Sequence, residues 1–174
     1  MLDDPKSRYG LADPGDIAGL TGREVLEAIM LGQLPAPPMA RTLDFALVEV
    51  GDGSAAFEAE PSEAFLNPMG AVHGGWAMTL IDSAAGCAGM SLLPSGGIYT
   101  TIETKVNFSR PIGKDTGRVR AEARVVSGGR RILSAEARVT DKRGRVLAHG
   151  TSTLMVLSEG AAARGRTPEA ALNG

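Results

Sequence analysis

The chain has 174 residues, 43% of them hydrophobic and 22% charged, with a formal net charge of -2. That length suits one domain with a real core, because domains usually hold about 100–200 residues. No apolar run approaches the roughly 18 residues of a membrane span, and the start MLDDPKSRYG lacks the apolar stretch of a signal peptide. A single Cys87 excludes an internal disulfide and a cysteine-based zinc site. A cytoplasmic protein without membrane association is expected. The charge is uneven, since residues 111–174 carry 12 basic and 6 acidic side chains. With 4% aromatics and no nucleic-acid motif, that excess suits a partner bearing a few phosphates better than a nucleic acid. Solvated arginines on strand faces are the plainer explanation.

Residues 1–20 are polar and rich in Gly, Pro and Asp, which predicts a flexible N-terminal segment. Thr21 stands three residues before Glu24, the spacing of a capping box, and Val25, Leu26 and Ile29 follow on one helical face. A short helix over 22–31 is predicted. The next segment, LPAPPMA, reads as non-helical because of its prolines. TLDFALVEV and GSAAFEAE flank Gly51-Asp52-Gly53 as a hairpin, and residues 61–73 form a loop. Residues 74–90 contain no Pro and repeat apolar side chains at helical spacing, with small residues that admit close neighbours.

Four strands follow: YTTIETKVNF, GRVRAEARVV, RILSAEARVT and RVLAHGTSTLMVL. In the second of them Val119, Ala121, Ala123 and Val125 share one face, while Arg118, Arg120, Glu122 and Arg124 share the other. Turns at Gly113-Lys114-Asp115, Ser127-Gly128-Gly129 and 141–144 favour antiparallel neighbours. The order implies an α+β domain over 21–157, with one antiparallel six-stranded sheet burying one long central helix. Residues 158–174 read as a loose C-terminal tail.

The chemistry concentrates in Asn67-Pro68-Met69-Gly70-Ala71-Val72-His73-Gly74-Gly75 and in Asp82. Gly74 and Gly75 open the central helix, where free backbone donors and the positive end of the macrodipole favour an oxyanion. A tight loop-to-helix turn would equally use two glycines. Asp82 follows among apolar and small neighbours, and a carboxylate on a buried helix is costly unless paired or functional. Such a residue suits a general base; a polar helix edge beside Thr79 and Ser83 is the alternative. Gly74 and Asp82 lie eight residues apart, about 12 Å along a helix axis. To act on one carbonyl carbon they must come from different chains, as a two-fold dimer with antiparallel central helices would allow. Neither His73 nor His149 has metal-ligand spacing around it, and no metal site is expected.

The string Asn67-x5-His73-Gly74-Gly75-x6-Asp82, followed by Glu103-Thr104-Lys105-Val106-Asn107-Phe108-Ser109-Arg110-Pro111, resembles the hotdog-fold acyl-CoA thioesterases of PaaI type. The resemblance spans about residues 40–157. It implies a hotdog fold, a curled sheet wrapped around the helix, and hydrolysis of an acyl-CoA thioester to an acid and CoA. It further implies that the Gly74 amide donates to the thioester carbonyl and that Asn67 helps to hold that carbonyl or the water. His73 would orient Asn67, and Asp82 of the partner protomer would act as general base or as nucleophile. A hydroxyl early in the next strand would assist Asp82; counting back from Pro111 gives Thr101, with adjacent Thr100 one position away. For the phosphates of CoA the family pattern points to Gly129 and Arg130, with Arg110 a weaker candidate. The acyl group would enter the gap between the two central helices, lined by Met78, Trp76 and LPAPPMA. No cofactor is implied beyond CoA as part of the substrate. A homodimer, assembling to a homotetramer, is implied as well. A non-catalytic acyl-CoA-binding regulator and a hotdog dehydratase are the rival readings, the second lacking its usual His-Phe-Pro-Gly-like segment.

Overall fold

A computed structural model describes residues 8–159. Residues 1–7 of the expected flexible start and 160–174 of the expected tail lie outside the described residues. Residues 8–20 hold a bridge from Tyr9 to Ala36 and a one-turn helix α1 (Pro14–Ile17). Helix α2 (Gly22–Met30) starts at the expected capping box: Thr21 accepts from the Glu24 amide, and the Glu24 carboxylate accepts from the Thr21 amide at 2.7 Å.

The proline-rich segment departs from expectation. Helix α3 (Pro38–Thr42) begins inside LPAPPMA, with Pro37 at the N-cap and Pro38 in the first turn. A proline there gives up a donor that has no helical partner anyway, and its fixed φ already suits a helix. Strands β1 (Phe45–Gly51) and β2 (Ser54–Ala59) form the expected hairpin. Helix α4 (Gly74–Met90) spans the predicted residues. Strands β3 (Gly97–Phe108), β4 (Val119–Gly128), β5 (Ile132–Asp141) and β6 (Val146–Glu159) complete the set.

The six strands form one sheet in the order β1-β2-β4-β5-β6-β3, and every pairing is antiparallel. The 109–118 segment is therefore not the hairpin that Gly113-Lys114-Asp115 suggested. It is a crossover that carries the chain from β3, beside β6, to β4, beside β2. Pro111 withholds a donor, Ile112 is buried, and the Ile112 carbonyl accepts from the Val72 amide at 2.8 Å. These contacts tie the crossover to the loop before α4.

One face of the sheet is paved with alanine. Ala55, Ala121, Ala123, Ala135, Ala137 and Ala148 are buried against α4, which presents its own Ala77, Ala84, Ala85 and Ala88. Small groups on both sides let helix and sheet approach closely; a Cβ on Gly89 would stand 2.2 Å from Leu154 Cδ1. Larger side chains here would overpack. The other face carries a charge ladder: Arg120 with Glu122 (2.7 Å), Arg138 with Glu122 (3.1 Å) and Arg124 with Glu136 (2.7 Å). Arg120 and Arg138 hold the Glu122 carboxyl below its ordinary range. Such solvent-facing pairs contribute little to stability.

Candidate active site

The loop before α4 is closed on itself. Asn67 Oδ1 accepts from the amides of Met69 (2.9 Å) and Ala71 (3.2 Å), and the Asn67 amide donates to the Ala71 carbonyl at 2.7 Å. Gly70 takes the tight turn at φ +79. The His73 amide donates to the Phe65 carbonyl at 2.7 Å, and Leu66 bridges Val72. Asn67 is thus the residue that shapes the loop.

His73 is the N-cap of α4. Its Nδ1 accepts from the Gly75 amide at 3.1 Å, and its carbonyl accepts from the Trp76 amide at 2.9 Å. No hydrogen bond joins His73 to Asn67, so the expected orienting contact is replaced by a cap. The first-turn donors of Gly75 and Trp76 are used; among the described residues the Gly74 amide has no acceptor. A helix N-terminus with one free donor and the positive end of its dipole favours an anionic oxygen. Gly74 packs under the Phe108 ring, and a Cβ there would lie 2.9 Å from Phe108 Cζ. A methyl there would require the Phe108 ring to shift.

Asp82 lies two turns further along, half-buried. Its Oδ1 accepts from Thr104 Oγ1 at 3.1 Å. The Ser152 hydroxyl stands 2.9 Å from Thr104 Oγ1 and 3.1 Å from the Glu103 carbonyl. Thr104 and Ser152 are the site residues that counting missed. The cause is an irregularity of β3: Thr101 pairs with Leu154, Glu103 with Thr153 and Thr104 with Ser152, with a register shift between Thr101 and Glu103. The extra residue, Ile102, puts Thr101 and Thr104 on the same, helix-facing side although they are three apart. Thr100, opposite Met155, faces away. Thr101 shares a cavity wall with Asp82, but the hydrogen bond to Asp82 comes from Thr104.

That cavity holds about 860 Å³ between α4 and the N-terminal segments. Leu34, Pro35, Ala36, Pro37, Met39 and Ala40 of the LPAPPMA segment line it, whereas Trp76 does not. Trp76 is core: its Nε1 donates to the Leu43 carbonyl at 2.9 Å, and its ring stacks on Phe65. Met78 is exposed on α4 and is not among the lining residues. Cys87 borders the cavity, and burial, then the Asp82 charge, pushes its thiol up to about 12. It stays protonated near neutrality and is no thiolate nucleophile. Burial, then Cys87 and Asp82, also raises Tyr99. Gly129 and Arg130 sit on the β4–β5 turn and do not line the cavity. Arg110 donates to the Val146 carbonyl at 2.6 Å. Among the described residues no group of His, Cys, Asp and Glu side chains is placed to hold a metal ion, and no helix is long and apolar enough to cross a membrane.

The curled sheet around α4 and the loop-to-helix start at His73-Gly74 are what the thioesterase superfamily builds, and that family matches residues 69–148. A solved structure of a conserved protein from Pseudomonas aeruginosa is 32% identical, covering 69% of this chain and 94% of its own, with a TM-score of 0.65. The chain belongs to the thioesterase superfamily. The phenylacetic acid degradation-related protein of Ralstonia eutropha is 28% identical, covering 75% of this chain and 98% of its own, at a TM-score of 0.69. A point mutant of the phenylacetic acid degradation protein PaaI from Thermus thermophilus is 27% identical, with 69% and 99% covered and a TM-score of 0.63. The fold is the hotdog, and the reaction class of the family is thioester hydrolysis.

Proposed function

We propose that the protein hydrolyses acyl-CoA thioesters as a dimer, each site taking the Gly74 amide from one protomer and Asp82 from the other. The observation that carries the reading is the unshared Gly74 donor at the start of α4, in a turn whose next two amides are already used. Along one helix, Gly74 and Asp82 are about 12 Å apart, too far for a single carbonyl to meet both. Among the described residues, strand β3 ends the sheet with an unpaired edge, and Ile98, Ile102 and Phe108 on it are exposed. A second copy would cover that edge and set the two α4 helices antiparallel.

In this reaction the thioester oxygen accepts from the Gly74 amide, which polarises the carbonyl. A water held by Asp82 attacks the carbonyl carbon, and its proton passes to Asp82. The negative charge gathers on the oxygen at Gly74, where the helix dipole stabilises it. Collapse breaks the C–S bond; the CoA thiolate leaves and takes the proton back from Asp82. Thr104 donates to Oδ1 and leaves Oδ2 to receive that proton. Direct attack by Asp82 on the carbonyl would form an anhydride instead, with loss of the CoA thiolate; water opening it at the Asp82 carbon would leave oxygen-18 in that carboxylate. The cations of the β4–β5 turn, Arg130 first, are the proposed phosphate contacts of CoA, with Gly129 giving close backbone approach.

The test is thiol release from a panel of acyl-CoAs by the full chain and by Asp82→Asn. Turnover by the full chain is expected, falling about a hundred- to ten-thousandfold in the variant, with its unfolding transition unchanged. Acyl-CoA binding without turnover would instead give the protein a regulatory, non-catalytic role.

A further inference from the structure

The superfamily match begins at residue 69, and PaaI from Thermus thermophilus, covered over 99% of its length, accounts for only 69% of this chain. The described N-terminal arm, residues 8–44, precedes the match. It is fastened at several points. The Gly10 amide donates to the Ala36 carbonyl and the Ala36 amide to the Arg8 carbonyl, both at 2.9 Å. The Gly22 amide donates to the Leu93 carbonyl at 3.0 Å, and the Leu43 carbonyl takes the Trp76 indole. Held in this way, the arm is a fixed wall rather than a lid.

What it walls is the 860 Å³ cavity. Leu26, Ile29, Leu34 and Met39 of the arm line it together with Leu47 of β1 and Phe57 of β2. Asp82 and Ser83 of α4 and Tyr99 and Thr101 of β3 line it as well. Phe57 is already engaged edge-on with Phe45, at 5.6 Å between ring centroids. The walls are otherwise mostly apolar; their polar side chains are the Asp82 carboxylate, the hydroxyls of Tyr9, Ser83, Tyr99 and Thr101, the Cys87 thiol and the Arg8 guanidinium. Pockets of about 300–1,000 Å³ take ligands of drug size, so this cavity is far larger than a two- or four-carbon acyl group requires.

We propose that this cavity receives the acyl group of the substrate, that the acyl group is an extended aliphatic chain, and that the N-terminal arm sets its length. The proposal rests on the thioesterase reading, since Asp82, which would hold the attacking water, lines the same cavity. Each methylene taken out of water along such a wall is expected to raise kcat/KM about fourfold until the cavity is full.

The experiment measures kcat/KM for straight-chain acyl-CoAs from acetyl to palmitoyl, with phenylacetyl-CoA beside them, for the full chain, Ala36→Phe and Met39→Trp. Met39 is exposed at the cavity wall, so its replacement spares the fold if Ala36→Phe does not. The expected result is a steep rise with chain length in the full chain and an optimum several carbons shorter in both variants. A flat profile, a preference for phenylacetyl-CoA, or an optimum unmoved by both variants overturns the proposal. Binding of free decanoate and dodecanoate is measured in parallel on the full chain, Asp82→Asn and Met39→Trp. Tighter binding of dodecanoate, weakened at least tenfold by Met39→Trp, supports the cavity even if no thioester is turned over, which separates its fate from that of the catalytic reading. No saturable binding of either acid, together with no turnover, overturns both.

Discussion

The region from the Asn67 loop through β6 and the arm of residues 8–44 are built on opposite plans. The first is dense: alanine meets alanine between sheet and helix, and buried side chains repeat at regular spacing. The arm is made of short pieces, two of them one-turn helices, and encloses space instead of filling it. The dense region overlaps the part matched by the thioesterase superfamily, and the Gly74, Asp82 and Thr104 constellation sits there. Rigid packing suits groups that must be held to a fraction of an ångström. A wall of loosely patterned apolar residues suits choice among substrates. On the proposed reading, reaction and selectivity fall to different stretches of this chain, and changes in each should therefore move different kinetic constants.

The largest effect that would sharpen this division is expected at Gly74. Gly74→Ala pushes a methyl against Phe108 and displaces the start of α4, so kcat should fall about a hundredfold, while the chain-length preference stays as it was. Adding Phe108→Ala removes the obstacle and should restore much of the rate. If the double variant is no faster than the single one, the close approach at Gly74 is not what positions the donor.

A smaller loss is expected at Thr104. Thr104→Val keeps the shape of the side chain and deletes the hydrogen bond to Asp82 Oδ1, so kcat should drop about tenfold with KM unchanged. Thr104→Ser should recover the rate. A variant with altered KM and unchanged kcat would make Thr104 a packing residue only.

The mildest effect concerns stability at high pH. Cys87 and Tyr99, on the cavity side of α4 and β3, hold their protons more tightly folded than unfolded. Their contribution is complete below pH 9.0, the ordinary value for the thiol, and is lost as the pH climbs toward about 12. Thermal unfolding followed from pH 8 to pH 11 should show the midpoint falling, and Cys87→Ala should flatten that fall. An identical pH dependence in the variant would mean the thiol is solvated rather than buried.

Much of the dense region was legible in the sequence. Alternation in RVRAEARVV sorts alanine from arginine onto the two faces of β4, and the absence of proline with apolar repeats marks α4 from Gly74 to Met90. Local signals sufficed there because each element's own spacing dictates which side it buries. The partner of β3 was not legible, since Gly113-Lys114-Asp115 reads as a turn whether the strand it feeds lies next door or across the sheet. Nor was Thr104, because a bulge at Ile102 breaks the twofold alternation on which counting relies. The arm resisted for another reason. Its prolines start a helix where they usually end one, and a cavity leaves no periodic trace in the residues that enclose it.

The shared site can be tested most directly by forcing two crippled protomers together. Asp82→Asn and Gly74→Ala chains carrying different affinity tags are co-expressed, and the dimers that bear both tags are isolated and assayed for thiol release. In a two-fold dimer one of the two sites then combines both intact groups, so about half of the wild-type rate should return. A mixed dimer no faster than the mean of its two parents would contradict the account, because Gly74 and Asp82 would then serve the reaction from a single chain or not together at all.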